Sequence, residues 1–244
     1  MMLFLWLSGH LFGQDVGDPE MQKVTVKDWN MELFINTSGF GIGFQKGRTP
    51  DYFNKHFWEI DFTYNKHQKA VRVRNLYYEG TTSFSYGKLY NLFFLHGGYG
   101  YQRTIHHKPY WGGVQIRYTL SGGVSLGVGI PTYLKIAYLN TSTNSIITVV
   151  ERYDPEKHNV NNIIGGASFW KGFSNLTIRP GFYVKTGLQF DFGQKETSIQ
   201  AVEVGLAIDM IFPYLQQMAY NKAKPFYLCA YIAYNFGKKK GNYE

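Results

Sequence analysis

The sequence predicts an all-β chain that closes into an antiparallel, up-and-down transmembrane β-barrel of eight to ten strands. Polar and apolar residues alternate over segments of roughly 10 residues, the length of a tilted membrane crossing. Aromatic residues make up 18% of the 244 residues, and no apolar run approaches the roughly 20 residues of a spanning helix. In residues 183–193, Lys185 and Asp191 alternate with Val184 and Leu188, so the segment has one polar and one apolar surface.

Further segments repeat this pattern along the chain. Regular alternation predicts strands at 31–45, 57–64, 112–126, 132–139, 197–212 and 226–236, because helical spacing would not keep charges on alternate positions. Residues 82–104 are expected to form two strands joined near Lys88 to Asn91, and 144–153 to pair with the strand before it. Ten strands are preferred, since an even number brings both ends of the barrel to one side. In 31–45, Phe34, Phe40, Ile42 and Phe44 are expected to share one face.

The polar faces of these strands have the composition of a narrow barrel interior. Eight to ten strands leave room only for side chains, so small residues lie beside large ones and each charge needs a partner. A solvated sheet face would carry fewer small residues, and a secreted soluble barrel or sandwich is the alternative. A lumenal polar network of three cations and five acids is therefore predicted: Glu59, Asp61, Arg117, Lys135, Lys185, Asp191, Glu203 and Asp209.

The two ends of the chain differ from the barrel in composition. Residues 1–13 are apolar through Phe12 and end on a glycine, which is typical of a secretory signal peptide. Residues 14–29 are polar and are expected to form a periplasmic lead-in, followed by the barrel over 30–237 and a basic tail over 238–244. Residues 153–178 are the expected extracellular loop, whose "ASFWKGF" is expected to fold over the barrel mouth.

The formal net charge of +8 comes partly from "KHQKAVRVR" at 66–74 and "GKKKG" at 237–241. Basic patches attract nucleic acid, lipid phosphates and acidic proteins alike. Export disfavours nucleic acid, so the expected partners are outer-membrane lipid and lipopolysaccharide, with a protein complex through the loops as a further possibility. The 66–74 segment is expected to bind lipid A phosphates or a periplasmic partner, depending on the side on which it lies.

No residue pattern indicates catalysis. A lipid hydrolase needs a nucleophile, a His and an orienting carboxylate close together, but no spacing selects such a triad. Glu59 and Asp61 are more simply explained as lumenal ion pairs, and "GFGIGFQKG" lacks the strand-to-helix context of a phosphate loop. No catalytic, cofactor-binding or metal residue and no cofactor is predicted. The candidates considered are His56, His67, His96, His106, His107 and His158, with Ser83, Ser85, Ser121 and Ser125.

Three stretches carry a family resemblance: the apolar start that breaks at "FGQ", the segment "KPYWGGVQIRYTLSGGVSLG" and the end "AYIAYNFGKKK". They resemble small outer-membrane β-barrel proteins of the Bacteroidota type, in an uncharacterised family. The resemblance implies a location in the bacterial outer membrane and gives Phe236 the place of the aromatic assembly signal, here followed by eight residues. The expected function is a non-enzymatic structural or partner-binding role through the loops. A lipid-modifying hydrolase or acyltransferase and a narrow pore for small solutes are the alternatives.

Overall fold

The computed structural model describes residues 26–51, 53–78, 80–107, 113–140, 145–193 and 197–241. Among them, eight antiparallel strands form a closed barrel in which each strand pairs with its neighbours in chain order, and the last strand pairs with the first. The strands are β1 (Val26–Asn36), β2 (Gly39–Thr49), β3 (Asn54–Asn65), β4 (Arg72–Val73), β5 (Phe84–Ser85), β6 (Tyr90–His106), β7 (Gln115–Pro131), β8 (Tyr133–Asn140), β9 (Ser145–Arg152), β10 (Ile163–Gly166), β11 (Thr177–Asp191), β12 (Ser198–Ile211) and β13 (Phe226–Gly241).

The predicted closed antiparallel barrel is confirmed, and its eight strands fall within the predicted range. The preference for ten strands is wrong, because β8 and β9 pair with each other and with β10 in a separate sheet. The strand β7 already runs the full height of the barrel before β8 begins. The apolar side of β8, with Leu134 and Ile136, is buried in a small hydrophobic core rather than presented on the barrel surface.

The barrel has two unlike ends. At the terminus side, where β1 begins and β13 ends, the connections 50–53, 107–114 and 192–197 are short. At the loop side, a two-residue turn joins β1 to β2, whereas the connections 66–89, 132–176 and 212–225 are long. The basic segment 66–74 therefore lies at the loop side.

The three long connections pack together into a loop cap. The sheet of β10, β8 and β9 and the ribbon of β4 and β5 enclose a hydrophobic core of Phe84, Leu134, Ile136, Tyr153 and Ile163. Asn75 donates hydrogen bonds to the carbonyl oxygens of Val160 and Ile163 at 3.1 and 2.9 Å, which joins the first connection to the second. The amide of Leu89 donates to the carbonyl of Gln217 at 2.9 Å and so joins the third.

Two predicted boundaries change. The strand β1 begins at Val26, so the lead-in predicted over 14–29 overlaps the barrel, and β13 continues through Gly241 rather than ending at 237. The predicted signal peptide at 1–13 and the first part of the lead-in lie outside the described residues. The segment "ASFWKGF" forms a 3-10 helix at Phe169–Asn175. This helix packs beside the outer wall, where Phe169 contacts Phe93 with ring centroids 6.1 Å apart.

Candidate functional site

The barrel strands direct apolar side chains outward and charged side chains into the lumen. In β11, Val184 and Leu188 point outward and are 52% and 41% exposed, whereas Lys185 and Asp191 point inward and are 5% and 4% exposed. An exposed large apolar side chain is unremarkable alone, but a continuous surface of them needs an apolar environment. The outward apolar residues come from every barrel strand and include Leu33, Ile42, Ile60, Leu95, Leu120, Val124, Val184, Leu206, Ile208 and Ile232.

Outward-facing aromatic side chains border this apolar surface at both ends. At the terminus side, Trp58 and Tyr99 pack with ring centroids 5.2 Å apart, and at the loop side Phe62 and Phe93 stack at 5.6 Å. Aromatic belts at two heights are typical of barrels that cross a membrane. Outward aromatic residues at the terminus side are Trp29, Trp58, Tyr99, Tyr118, Phe192 and Tyr234, and those at the loop side are Phe40, Phe62, Phe93, Phe182, Phe212 and Phe226.

A buried ionic network closes the middle of the barrel. Lys185 Nζ lies 2.8 and 2.9 Å from the two carboxylate oxygens of Glu32 and 3.5 Å from Asp61 Oδ2. The side-chain amide of Gln45 donates to Glu32 at 3.1 Å and to Glu59 at 3.4 Å, so it links both acids. Buried charges need a partner and further hydrogen bonds to be tolerated, and this network supplies both.

Two tyrosines complete the central network. The hydroxyl of Tyr183 donates to Glu59 at 2.7 Å, and that of Tyr231 donates to Glu203 at 2.6 Å. Glu203 also accepts from Asn235 at 3.5 Å. Hydroxyl donors stabilise carboxylates that lack a cation of their own.

A second ionic group lies toward the terminus side. Arg117 is 3.3 Å from Asp191, Lys239 is 3.6 Å from the same carboxylate, and Lys55 pairs with Asp28. At the opposite end, the interior is closed by apolar residues instead. Leu92, Phe94, Ile211 and Leu215 form this plug and are each 4% exposed or less.

Two small cavities lie in the interior among the described residues. One, of about 60 Å³, is lined by residues of the terminus-side group that include Asp28, Lys55 and Arg117. The other, of about 30 Å³, lies near Asp61 and Lys185. The cavities share no lining residue, and each has room for only a few water molecules. The described side chains thus leave only small cavities in these two parts of the interior.

Seven of the eight predicted network residues point into the barrel: Glu59, Asp61, Arg117, Lys185, Asp191, Glu203 and Asp209. The prediction for Lys135 is wrong, because this residue lies in β8 outside the barrel. The assignment of Phe34 to the outer face is also wrong, since the side chain is 8% exposed and points inward. The turn at 37–38 separates β1 from β2, so one alternation cannot be continued across both strands.

The sequence interpretation missed several lumenal residues. Glu32, Asn30 and Asp28 alternate with Leu33, Met31 and Trp29 in β1, but this alternation starts in a segment that was assigned to the lead-in. Lys55 lies between the predicted strands 31–45 and 57–64, and His96 is among the catalytic candidates considered. The signal that identifies Glu32 is the alternation of β1 itself, which begins at Val26, five residues before the start of the predicted strand at 31–45.

One buried group has the residue types of a hydrolase triad. His96 Nε2 lies 2.6 Å from Asp209 Oδ1, and Ser125 faces His96 across the β6–β7 pairing. Ser125 is fully buried, and its hydroxyl has no hydrogen bond to a described residue. All three side chains are inward, beneath the apolar plug, so a lipid outside the barrel has no access to them.

The loop cap carries a basic face formed by six exposed side chains: Lys66, Lys69, Arg72, Arg74, Lys222 and Lys224. The hydrogen bond from Lys69 Nζ to Asn221 Oδ1 at 3.1 Å brings its two connections together. None of the six cations forms an ion pair with a described residue, and the only acid of these connections, Glu79, lies outside the described ranges. Burial and the nearby charges of Lys224 and Lys69 lower the pKa of His67.

Lys88 lies beneath this face and is 8% exposed. Its Nζ donates to the hydroxyl of Tyr64 at 3.3 Å. Burial, together with the charges of Lys66 and Arg72, lowers the pKa of Lys88 to about 8. Burial and, to a lesser extent, two neighbouring cations thus disfavour the charged form of Lys88 at this corner of the cap.

Within the described ranges, no three His, Cys, Asp or Glu side chains converge as a metal site. His106 and His107 adjoin each other at the end of β6, at the terminus side. No helix of the described chain is both long and apolar enough to cross a membrane.

Comparisons with known proteins give a likeness of architecture. No protein-family model matches the sequence, and the curated proteins give no significant match. Among solved structures, the chain is similar to Neisserial surface protein A, with 7% identity over 88% of this chain and 95% of that one and a TM-score of 0.38. It is similar to Ail, the attachment invasion locus protein of Yersinia pestis, with 8% identity over 90% and 100% and a TM-score of 0.37.

The N-terminal β-barrel domain of Pseudomonas aeruginosa OprF gives 9% identity over 87% of this chain and 97% of that one, with a TM-score of 0.35. These three neighbours are small outer-membrane β-barrels. At such identities and TM-scores, the likeness does not extend to function. What the chain does must be argued from its own surface and interior.

Proposed function

We propose that this chain is an integral outer-membrane β-barrel with a closed lumen, whose loop cap binds the phosphate groups of lipopolysaccharide. The observation that carries the binding role is the basic face, with six exposed cations and no ion pair among the described residues. Cations of one sign gathered on one surface attract polyanions at long range and bind phosphate at contact.

The membrane location is supported by the outer wall of the barrel. Its apolar side chains would face water in a soluble protein, at a large cost in free energy per unit of exposed apolar area. The same strands bury Lys185, Glu32 and Asp61 inside. In a soluble domain, apolar side chains lie inside and charged side chains lie outside. This barrel has the reverse arrangement, which fits a lipid environment.

The lengths of the connections support an orientation with the loop side at the cell surface. Outer-membrane barrels have short periplasmic turns and longer extracellular loops. The long connections 66–89, 132–176 and 212–225 all leave the loop side. The basic face would then lie at the cell surface, level with the phosphate groups of the outer leaflet.

The closed interior disfavours the two alternative functions. Solutes would have to displace both the apolar plug and the ionic network to pass, which disfavours a pore. The buried group of Ser125, His96 and Asp209 cannot meet a lipid without opening the barrel, which disfavours a lipid-modifying enzyme.

The experiment that tests the binding role compares two triple variants of the protein in phospholipid nanodiscs. Lys69→Gln/Lys222→Gln/Lys224→Gln removes half of the basic face. Lys27→Gln/Lys46→Gln/Lys238→Gln is the matched control, since it removes three exposed outward cations at the terminus side. Binding of deacylated, phosphorylated lipopolysaccharide saccharide is measured by calorimetry at several salt concentrations.

The triple change at Lys69, Lys222 and Lys224 is expected to weaken binding at least about tenfold, since each lost charge-assisted contact contributes about 1.5–3 kcal/mol. It should also reduce the dependence of affinity on salt. The control variant should bind as the unmodified protein does. Equal weakening in the two triple variants, or no binding by the unmodified protein, would refute the proposed role.

A further inference from the structure

An apolar cleft lies on the outer wall directly beneath the basic face. Its floor is formed by Phe40 and Ile42 of β2, Phe62 of β3 and Phe93 of β6. Phe169 of the 3-10 helix forms one wall, and Arg72 of β4 lies at the rim. The cleft is an open depression with a volume of about 470 Å³, within the range of about 300–1,000 Å³ that is typical of small-molecule sites.

Aromatic contacts hold the floor of the cleft in place. The rings of Tyr64 and Phe93 lie 5.0 Å apart, those of Phe40 and Tyr64 lie 5.8 Å apart, and Phe93 contacts Phe169. The helix thus adds a side wall to the outer surface of the barrel at this place. A flat lipid-facing wall offers no such side contact to an acyl chain.

A cation lies at the rim of the cleft. Arg72 lies close enough to Lys88 to lower its pKa, as does Lys66. None of these three cations has an acidic partner among the described residues, and the Lys88 ammonium contacts only the hydroxyl and ring of Tyr64. An apolar enclosure that ends at uncompensated cations is complementary to an acyl chain that ends at an anionic headgroup.

We propose that this cleft binds one acyl chain of lipid A, with a lipid A phosphate on Arg72. The inference rests on the proposed function, because the loop side must face the outer leaflet for lipid A to reach the cleft. It adds to that function a specific binding site for the acyl part of the lipid, whereas the basic face alone recognises only the phosphorylated saccharide.

The test uses the full protein in detergent and measures bound lipid by native mass spectrometry. Three probes separate the parts of the ligand: diphosphorylated lipid A, the same lipid A after dephosphorylation, and the deacylated phosphorylated saccharide. Lipid A is expected to bind with one molecule per barrel. The other two probes are expected to bind at least about tenfold more weakly, since each lacks one of the two contacts.

Two pairs of variants locate the site. Phe40→Ala is paired with Phe182→Ala, because both side chains face outward and both are 62% exposed, but only Phe40 lies in the cleft. Arg72→Gln is paired with Arg103→Gln, an exposed outward cation of β6 at the terminus side. Phe40→Ala and Arg72→Gln should weaken lipid A binding at least about tenfold, and the two controls should leave it unchanged.

The outcomes separate this inference from the proposed function. If lipid A and the deacylated saccharide bind equally, and only the Lys69, Lys222 and Lys224 changes weaken both, the cleft inference fails and the proposed function stands. If Phe182→Ala weakens binding as much as Phe40→Ala, the cleft is not the site. If dephosphorylated lipid A binds as tightly as lipid A, the role of Arg72 is wrong. If no probe binds, both proposals fail.

Discussion

Replacement of Lys185 by Met is expected to destabilise the barrel by about 3–5 kcal/mol, the usual cost of removing one partner of a buried ion pair. Two carboxylates depend on this ammonium: Glu32 at 2.8 and 2.9 Å and Asp61 at 3.5 Å. Both are fully enclosed, at 0% and 2% exposure. Met keeps the length of the side chain and its packing between the rings of Phe34 and Tyr231, so the loss is electrostatic.

The assay is urea unfolding in phospholipid vesicles, followed by tryptophan fluorescence, with heat-modifiable migration on gels as the test of folding. Lys46→Met is the control, since Lys46 is exposed on the outside of β2 and should change stability by no more than about 0.5 kcal/mol. Adding Glu32→Gln to Lys185→Met removes one uncompensated carboxylate and should recover part of the loss, so the two changes are non-additive. If Lys185→Met unfolds at the same urea concentration as Lys46→Met, the reasoning is refuted.

Two further predictions use the same assay. Gly98→Ala would bring its Cβ against the Tyr183 hydroxyl, at a cost of about 1–3 kcal/mol, whereas Gly97→Ala meets nothing within 4 Å and should be neutral; equal stability of the two would contradict this. Burial and neighbouring cations lower the pKa of Lys88 from 10.5 to about 8, so between these values the unfolded chain binds more protons and stability should rise with pH. Lys88→Met should remove that rise, and a rise of the same size in the variant would count against it.

Much of the barrel could be predicted from residue alternation. In β3, Trp58 and Ile60 alternate with Glu59 and Asp61, and the first two face outward while the acids face inward. Such a pattern requires only the two-residue period of a strand, which is a local property. The same rule predicts that Lys185 points inward, and the side chain is 5% exposed.

The alternation rule failed for β8, because a strand of the loop cap alternates in the same way as a strand of the barrel. Lys135 alternates with Leu134 and Ile136 as a barrel strand would, but these apolar side chains are buried in the core of the loop cap. Alternation indicates that a strand has one apolar face, but it does not indicate what covers that face. The length of β7 and the pairing of β8 with β9 and β10 decide it, and both depend on contacts distant in sequence.

The sequence by itself determined that this chain forms strands with one apolar and one charged side, because that information lies in neighbouring residues. Only the tertiary structure decided the number of barrel strands, the partners of each buried charge and the cleft beneath the basic face. Lys185 and Glu32 are 153 positions apart, and Arg72 and Phe169 come from different connections. Closure of the barrel and packing of the cap bring such residues together. A pattern of neighbouring residues contains no information on contacts between residues so far apart in the sequence.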